Sequence, residues 1–84
     1  MTRAWQMVVE TNPFPSVMGR VCPHPCETEC NRKELEGAVG INKIERSIGD
    51  FGIENSLPLK KLTDEKQSQK VAVIGGGPSG LSCA

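Results

Sequence analysis

Cys22, Cys26 and Cys30 recur every four residues in a stretch that also holds Pro23, His24 and Pro25, and no other feature constrains the chain as much. Only 84 residues, 37% hydrophobic and 4% aromatic, are available to fold around them. At this size apolar burial roughly cancels the cost of ordering the chain, so a disulfide, a metal or a partner surface has to supply the balance. Soft thiolates suit iron–sulfur clusters, zinc or copper(I), and cluster iron is normally held by four cysteines, sometimes with one replaced. Three cysteines leave one ligand place open. His24 lies inside the run, so a zinc site of Cys22, His24, Cys26 and Cys30 is a second reading, although it lacks the well-separated second ligand pair of most zinc sites. In the third, the cysteines are small buried apolar residues and His24 is a solvent-facing turn residue. Spacing alone leaves all three open.

Charge and hydropathy remove other classes. Ten Lys and Arg balance ten Asp and Glu, so no net field draws nucleic acid or an acidic membrane surface. No apolar run approaches the roughly 20 residues of a membrane helix, and Met1-Thr2-Arg3 does not open a signal peptide. The expectation is a soluble cytoplasmic chain whose thiols stay reduced, which favours metal or redox roles over disulfides.

The pattern predicts mainly helix. Ala4, Trp5, Met7 and Val8 mark an amphipathic helix over 3–10, and Asn12-Pro13-Phe14-Pro15 stops it at an extended corner. Residues 16–21 read as a connection. A helix is expected from Pro25 or Cys26 to Glu36-Gly37, which would put the Cys26 and Cys30 sulfurs on one face. Val39, Ile41, Ile44 and Ile48 share a stripe over 39–50, with Gly49 and Gly52 at its finish. The domain reading is a helical unit over 1–55, a polar linker over 56–70 touched by Leu57-Pro58-Leu59, and a third segment over 71–84.

That segment reads Val71-Ala72-Val73-Ile74-Gly75-Gly76-Gly77-Pro78-Ser79-Gly80-Leu81, a short apolar strand, a glycine turn and a helix start. This is the opening of a dinucleotide-binding βαβ unit: Gly75 allows the tight turn, Gly77 the approach of main chain to pyrophosphate, and Gly80 close helix–strand packing. About half the unit is present, so the strand has no neighbours and 71–84 is expected to be disordered or only loosely helical. Cys83, on the presumed helix, is read as a packing residue.

These two blocks together, Asn12-Pro13-Phe14-Pro15 through Gly19-Arg20-Val21-Cys22-Pro23 to Cys26 and Cys30, then the glycine turn, closely resemble the glutamate synthase small-subunit family and the amino-terminal region of dihydropyrimidine dehydrogenase. The resemblance implies a helical, alpha-helical-ferredoxin-like domain with two 4Fe-4S clusters, followed by the truncated start of a Rossmann-like FAD domain. It further implies that electrons pass from NADPH through FAD and the clusters to a partner oxidoreductase subunit, such as the glutamate synthase large subunit. Carried over, Cys22 and Cys26 are ligands of one cluster and Cys30 of the other. A Gln or Glu on the following helix completes the first cluster in that family, and Glu45 stands at the matching position. Gly75, Gly77 and Gly80 match the FAD pyrophosphate turn. The family's earlier cysteine run has no counterpart before Cys22, and the 84 residues by themselves are expected to be catalytically inert. The competing functions are a small zinc-stabilised module and a metal-free helical module that buries Trp5, Ile41, Ile44 and Ile48 against a partner.

Overall fold

The computed structural model describes all 84 residues. It is helical and contains no strand. Four helices, α1 (Thr2–Val9), α2 (Pro15–Val21), α3 (Ile41–Glu54) and α4 (Pro78–Cys83), are joined by irregular segments, with one 3-10 turn at Pro25–Glu27.

The first three helices form the packed unit, with α3 as its spine, against which α2 packs most extensively and α1 less so. Small residues make the crossings. A Cβ on Gly49 would overlap the Ser16 backbone, one on Gly52 would overlap the Trp5 indole, and one on Gly19 would lie 2.6 Å from Arg46 Cβ. Trp5, 7% exposed, is the single buried large apolar side chain, so the core is one indole pressed onto a glycine face. Trp5 is therefore interior and is not offered to a partner. Ile41 and Ile44 are half-exposed along an open groove of about 560 Å³ that they share with Met7, Val8, Thr11, Asn12, Glu45 and Ile48.

The helix boundaries depart from the sequence pattern in three places. Residues 15–21 are a helix: Pro15 occupies its first turn, where a missing N–H costs nothing, and burial of Ser16 and Gly19 against α3 holds so short a helix in place. The helix expected from Cys26 to Glu36 is a single 3-10 turn followed by isolated turns, such as Lys33 N to Cys30 O at 3.1 Å and Leu35 N to Arg32 O at 3.0 Å. That segment has no apolar stripe to bury, and Leu35 stands exposed. α3 runs straight through Gly49 and Gly52, which form its contact face and not its end.

Its end is a Schellman motif. Leu57 N donates to Gly52 O at 2.9 Å and Ser56 N to Ile53 O at 3.1 Å, with Ser56 left-handed at φ 50°. Leu57 and Leu59 then line an apolar cavity of about 250 Å³ beside Trp5, Phe14 and Ile53. Beyond it, residues 60–77 make no backbone hydrogen bond to the helical unit. Val71-Ala72-Val73-Ile74 forms no strand, in keeping with the expectation for a segment without strand neighbours, so no Rossmann-like remnant is seen, and Val71 and Ile74 lie exposed. The short helix expected after the glycine turn does form, as α4.

Candidate metal centre

The cysteines lie on the long loop that joins α2 to α3. Cys22 caps the end of α2, its N–H on Met18 O at 2.9 Å, and its sulfur accepts the N–H of His24 at 3.4 Å. His24 is left-handed between its two prolines, half-exposed, with Nδ1 3.5 Å from Glu27 Oε2. Cys26 is exposed within the 3-10 turn. Cys30 follows on irregular backbone and its sulfur accepts the N–H of Val39 at 3.5 Å. None of the four cysteines is in a disulfide, and none is fully buried, which removes the reading of them as buried apolar residues.

Cys30 is electrostatically distinct. The Val39 N–H on its sulfur, with smaller contributions from the main chain at Arg32 and Lys33, holds the thiol below the ordinary cysteine range, against partial desolvation and the charge of Glu27. Amides aimed at a sulfur favour the thiolate, the form that binds metal. The donor set therefore fits a soft metal centre in its chemistry: three uncrosslinked thiols, one already biased toward its anion. It is not assembled in its geometry. No three His, Cys, Asp or Glu side chains converge closely enough to hold an ion.

Glu45 lies on α3 in the open groove beside α1, where its Oε1 accepts a hydrogen bond from Asn12 Nδ2. The groove contains no cysteine. Asn12, read from sequence only as part of a helix stop, is thus the side chain that handles this carboxylate across 33 residues of separation. No local pattern announces such a contact. The Val39 N–H on Cys30 was equally out of reach, because it depends on the loop returning over nine residues.

At the other end of the chain Gly75 adopts φ 118°, and its carbonyl stands where a Cβ on Gly80 would be. Those two positions require glycine, Gly75 for its positive φ and Gly80 for the approach of the Gly75 carbonyl. Around Gly77 there is open space within 4 Å of a would-be Cβ.

Comparison with known proteins places these features. Residues 1–57 match the family model described as dihydropyrimidine dehydrogenase domain II, 4Fe-4S cluster. The chain is 44% identical over 79 residues to the NADPH-Fe(3+) oxidoreductase subunit beta of Geobacter sulfurreducens, a match that covers 93% of this chain and 12% of that protein. It is 42% identical over 81 residues to the glutamate synthase (NADPH) small chain of Bacillus subtilis, covering 96% and 16%. With the glutamate synthase (NADPH) small chain of Escherichia coli the identity is 43% over 77 residues, covering 89% and 16%. The chain thus spans about an eighth to a sixth of the length of these relatives. No solved structure matches it. The three-cysteine loop, its flanking helices and the match over residues 1–57 make this chain a member of the dihydropyrimidine dehydrogenase domain II, 4Fe-4S cluster family, as found in glutamate synthase small-subunit-like oxidoreductases.

Proposed function

We propose that the chain is the electron-transfer portion of an NADPH-dependent flavin and iron–sulfur oxidoreductase of the glutamate synthase small-subunit type. Cys22, Cys26 and Glu45 serve one 4Fe-4S cluster and Cys30 the other. The observation that carries this reading is the match of residues 1–57 to a 4Fe-4S family, with three free thiols in one loop inside it and the Val39 N–H on the Cys30 sulfur. When bound, such a cluster supplies a one-electron relay. What the chain itself contributes is a set of thiolates, main-chain N–H groups that stabilise sulfur charge, and helices that carry the loop.

FAD, NADPH and a large partner subunit belong to the same proposal, supported by the glycine turn and by the names of the relatives. In it Gly75 and Gly80 shape the turn, and Gly77 leaves room for main chain to approach the FAD pyrophosphate. The electron acceptor is the partner subunit, and turnover is a property of the longer protein, not of these 84 residues. No helix is long and apolar enough to cross a membrane, and the working location proposed is the cytoplasm.

The test is iron, zinc and acid-labile sulfide analysis of protein purified without oxygen, with a visible spectrum of the same sample. Iron with sulfide and a broad band near ~400 nm, the usual absorption of thiolate-held clusters, is expected. Stoichiometric zinc without iron would replace this reading with a zinc-stabilised module. Cys26→Ser should lower the iron content and Cys83→Ser should leave it unchanged, and equal losses from both would overturn the ligand assignment.

A further inference from the structure

We propose that Arg20 and Asp50 are positioning residues for the thiol loop, fixing where it leaves α2 and where it joins α3, an inference that rests on the reading of Cys22 and Cys30 as metal ligands. Every hydrogen bond made by residues 23–38 stays within 22–39, so no such bond ties the middle of the loop to the helices. The loop is held at its two ends. At one, Cys22 caps α2 with its N–H on Met18 O. At the other, Val39 gives its N–H to the Cys30 sulfur, and its carbonyl accepts the N–H of Ile41, the first residue of α3. Cys22 therefore stands where the end of α2 puts it, and Cys30 is tied to the start of α3. How α2 lies on α3 sets the one relative to the other.

A helix of seven residues does not hold its place alone, and the element that α2 packs on is α3. Gly19 against Arg46 and Gly49 against Ser16 let the two backbones come close. Arg20 and Asp50 then fix the register. The guanidinium reaches both carboxylate oxygens, at 2.8 and 3.1 Å, and its Nη1 also donates to Ser16 O at 2.9 Å. Buried Ser16 donates its hydroxyl to the same carboxylate, and Arg46, one turn earlier on α3, has Nε 3.8 Å from Asp50 Oδ2. A lone surface ion pair restrains little, whereas a two-pronged arginine–carboxylate pair within a network accepts one orientation. Arg20 lies in the last turn of α2, two residues before Cys22, so the clamp acts at the point where the loop departs.

Arg20→Ala and Asp50→Ala each release the clamp. Hydrogen exchange at the Cys22 and Val39 amides is measured on the protein before iron is added, and iron bound at limiting iron and reduction potential after anaerobic reconstitution with ferrous iron and sulfide. All proteins are compared at the same interval below their melting midpoints. Each variant should lose protection at both amides, shift the potential and weaken iron binding by at least about 5-fold, the factor by which ordering one more backbone residue weakens an equilibrium. The double variant should lose no more than either single one, because both remove the same contact. Gly52→Ala is the control for stability: it disturbs the seat of α1 and leaves the clamp intact, so it should keep wild-type iron binding and potential. Equal losses in Gly52→Ala would overturn the proposal, as would weakened iron binding with both amides still protected. If Asp50→Ala lowers helix content, Asp50→Asn, which keeps an acceptor for Ser16 and removes the charge, decides against the same control. Wild-type iron binding and potential in the clamp variants, with iron lost in Cys26→Ser, would overturn the role of the clamp and leave the ligand reading intact. A wild-type protein that takes up no iron would overturn the ligand reading, and the positioning role with it.

Discussion

A methyl group at residue 52 has no room, because the indole of Trp5 already lies against the glycine Cα. Gly52→Ala should therefore destabilise the helical unit by about 1–3 kcal/mol, the usual cost of overpacking, even though alanine is the better helix former. Thermal denaturation followed at 222 nm reads this, and an unchanged or raised midpoint would mean that α1 is not seated on α3 as described. The second residue-scale contact is ionic. Arg20 grips Asp50 with both nitrogens, Nη1 at 2.8 Å from Oδ1 and Nη2 at 3.1 Å from Oδ2, while Ser16 Oγ donates to the same carboxylate. The Arg20 guanidinium, then the Ser16 hydroxyl, hold Asp50 below the ordinary carboxylate range. A carboxyl group whose acidity is raised by folding contributes stability above its unfolded value, and loses it as pH falls through the folded one. The contribution of Asp50 should thus be complete at neutral pH and decline below about 3.9, the ordinary aspartate value. Asp50→Asn should melt lower than wild type at pH 7 and converge with it near pH 2. A gap that stays constant with pH would show that the pair contributes nothing through its charge. Both contacts escape a reading of the sequence, because Arg20 with Asp50 and Trp5 with Gly52 are neighbours only once the helices cross.

Among the elements, α3 was the most legible, since its isoleucines repeat on one stripe and need no partner to be recognised. Its length was not. Two glycines in a helical pattern read as a finish, whereas here their missing side chains are what α1 and α2 require in order to approach. The shorter α2 is not legible for a related reason: seven residues carry too little periodicity, and the helix exists through its contact with α3. The cysteine loop erred in the opposite direction, with good capping residues and no apolar face to make a helix worthwhile. As for the site, the cysteine spacing was visible at once, while the Val39 amide on Cys30 and the Asn12 amide on Glu45 required the loop and the corner to be in place. The true stop of α3 offers a direct check. Ser56 fills the left-handed position of the Schellman motif, which glycine occupies without steric cost. Ser56→Gly should raise stability by up to about 1 kcal/mol, and chemical denaturation that shows a loss instead would mean that the serine side chain makes a contact of its own.

On the scale of the whole molecule, one indole and a row of glycines make a thin core, and the chain is correspondingly drawn out. Its radius of gyration is 16.1 Å, against about 12 Å for a compact chain of this length, and its extents are 56 × 26 × 20 Å. The excess comes from residues 60–77, which leave the helical unit after Leu59, and the 18-residue loop from Cys22 to Val39 is held mainly by its own turns. A centre bound through Cys22, Cys26 and Cys30 would tie that loop down just where the fold has least support. Whatever binds only the folded state stabilises it by mass action, by about 4 kcal/mol when the ligand stands a thousandfold above its dissociation constant. For a domain of this size each kcal/mol moves the melting temperature by about 4–8 °C. Anaerobic loading with iron and sulfide should therefore raise the midpoint by at least about 15 °C, and chelation should return it to its starting value. The gain should shrink sharply in Cys26→Ser and persist in Cys83→Ser, since Cys83 lies on α4, outside the helical unit. If iron binds and the midpoint stays where it was, the loop is not energetically coupled to α2 and α3, and the metal does not make up for the missing core.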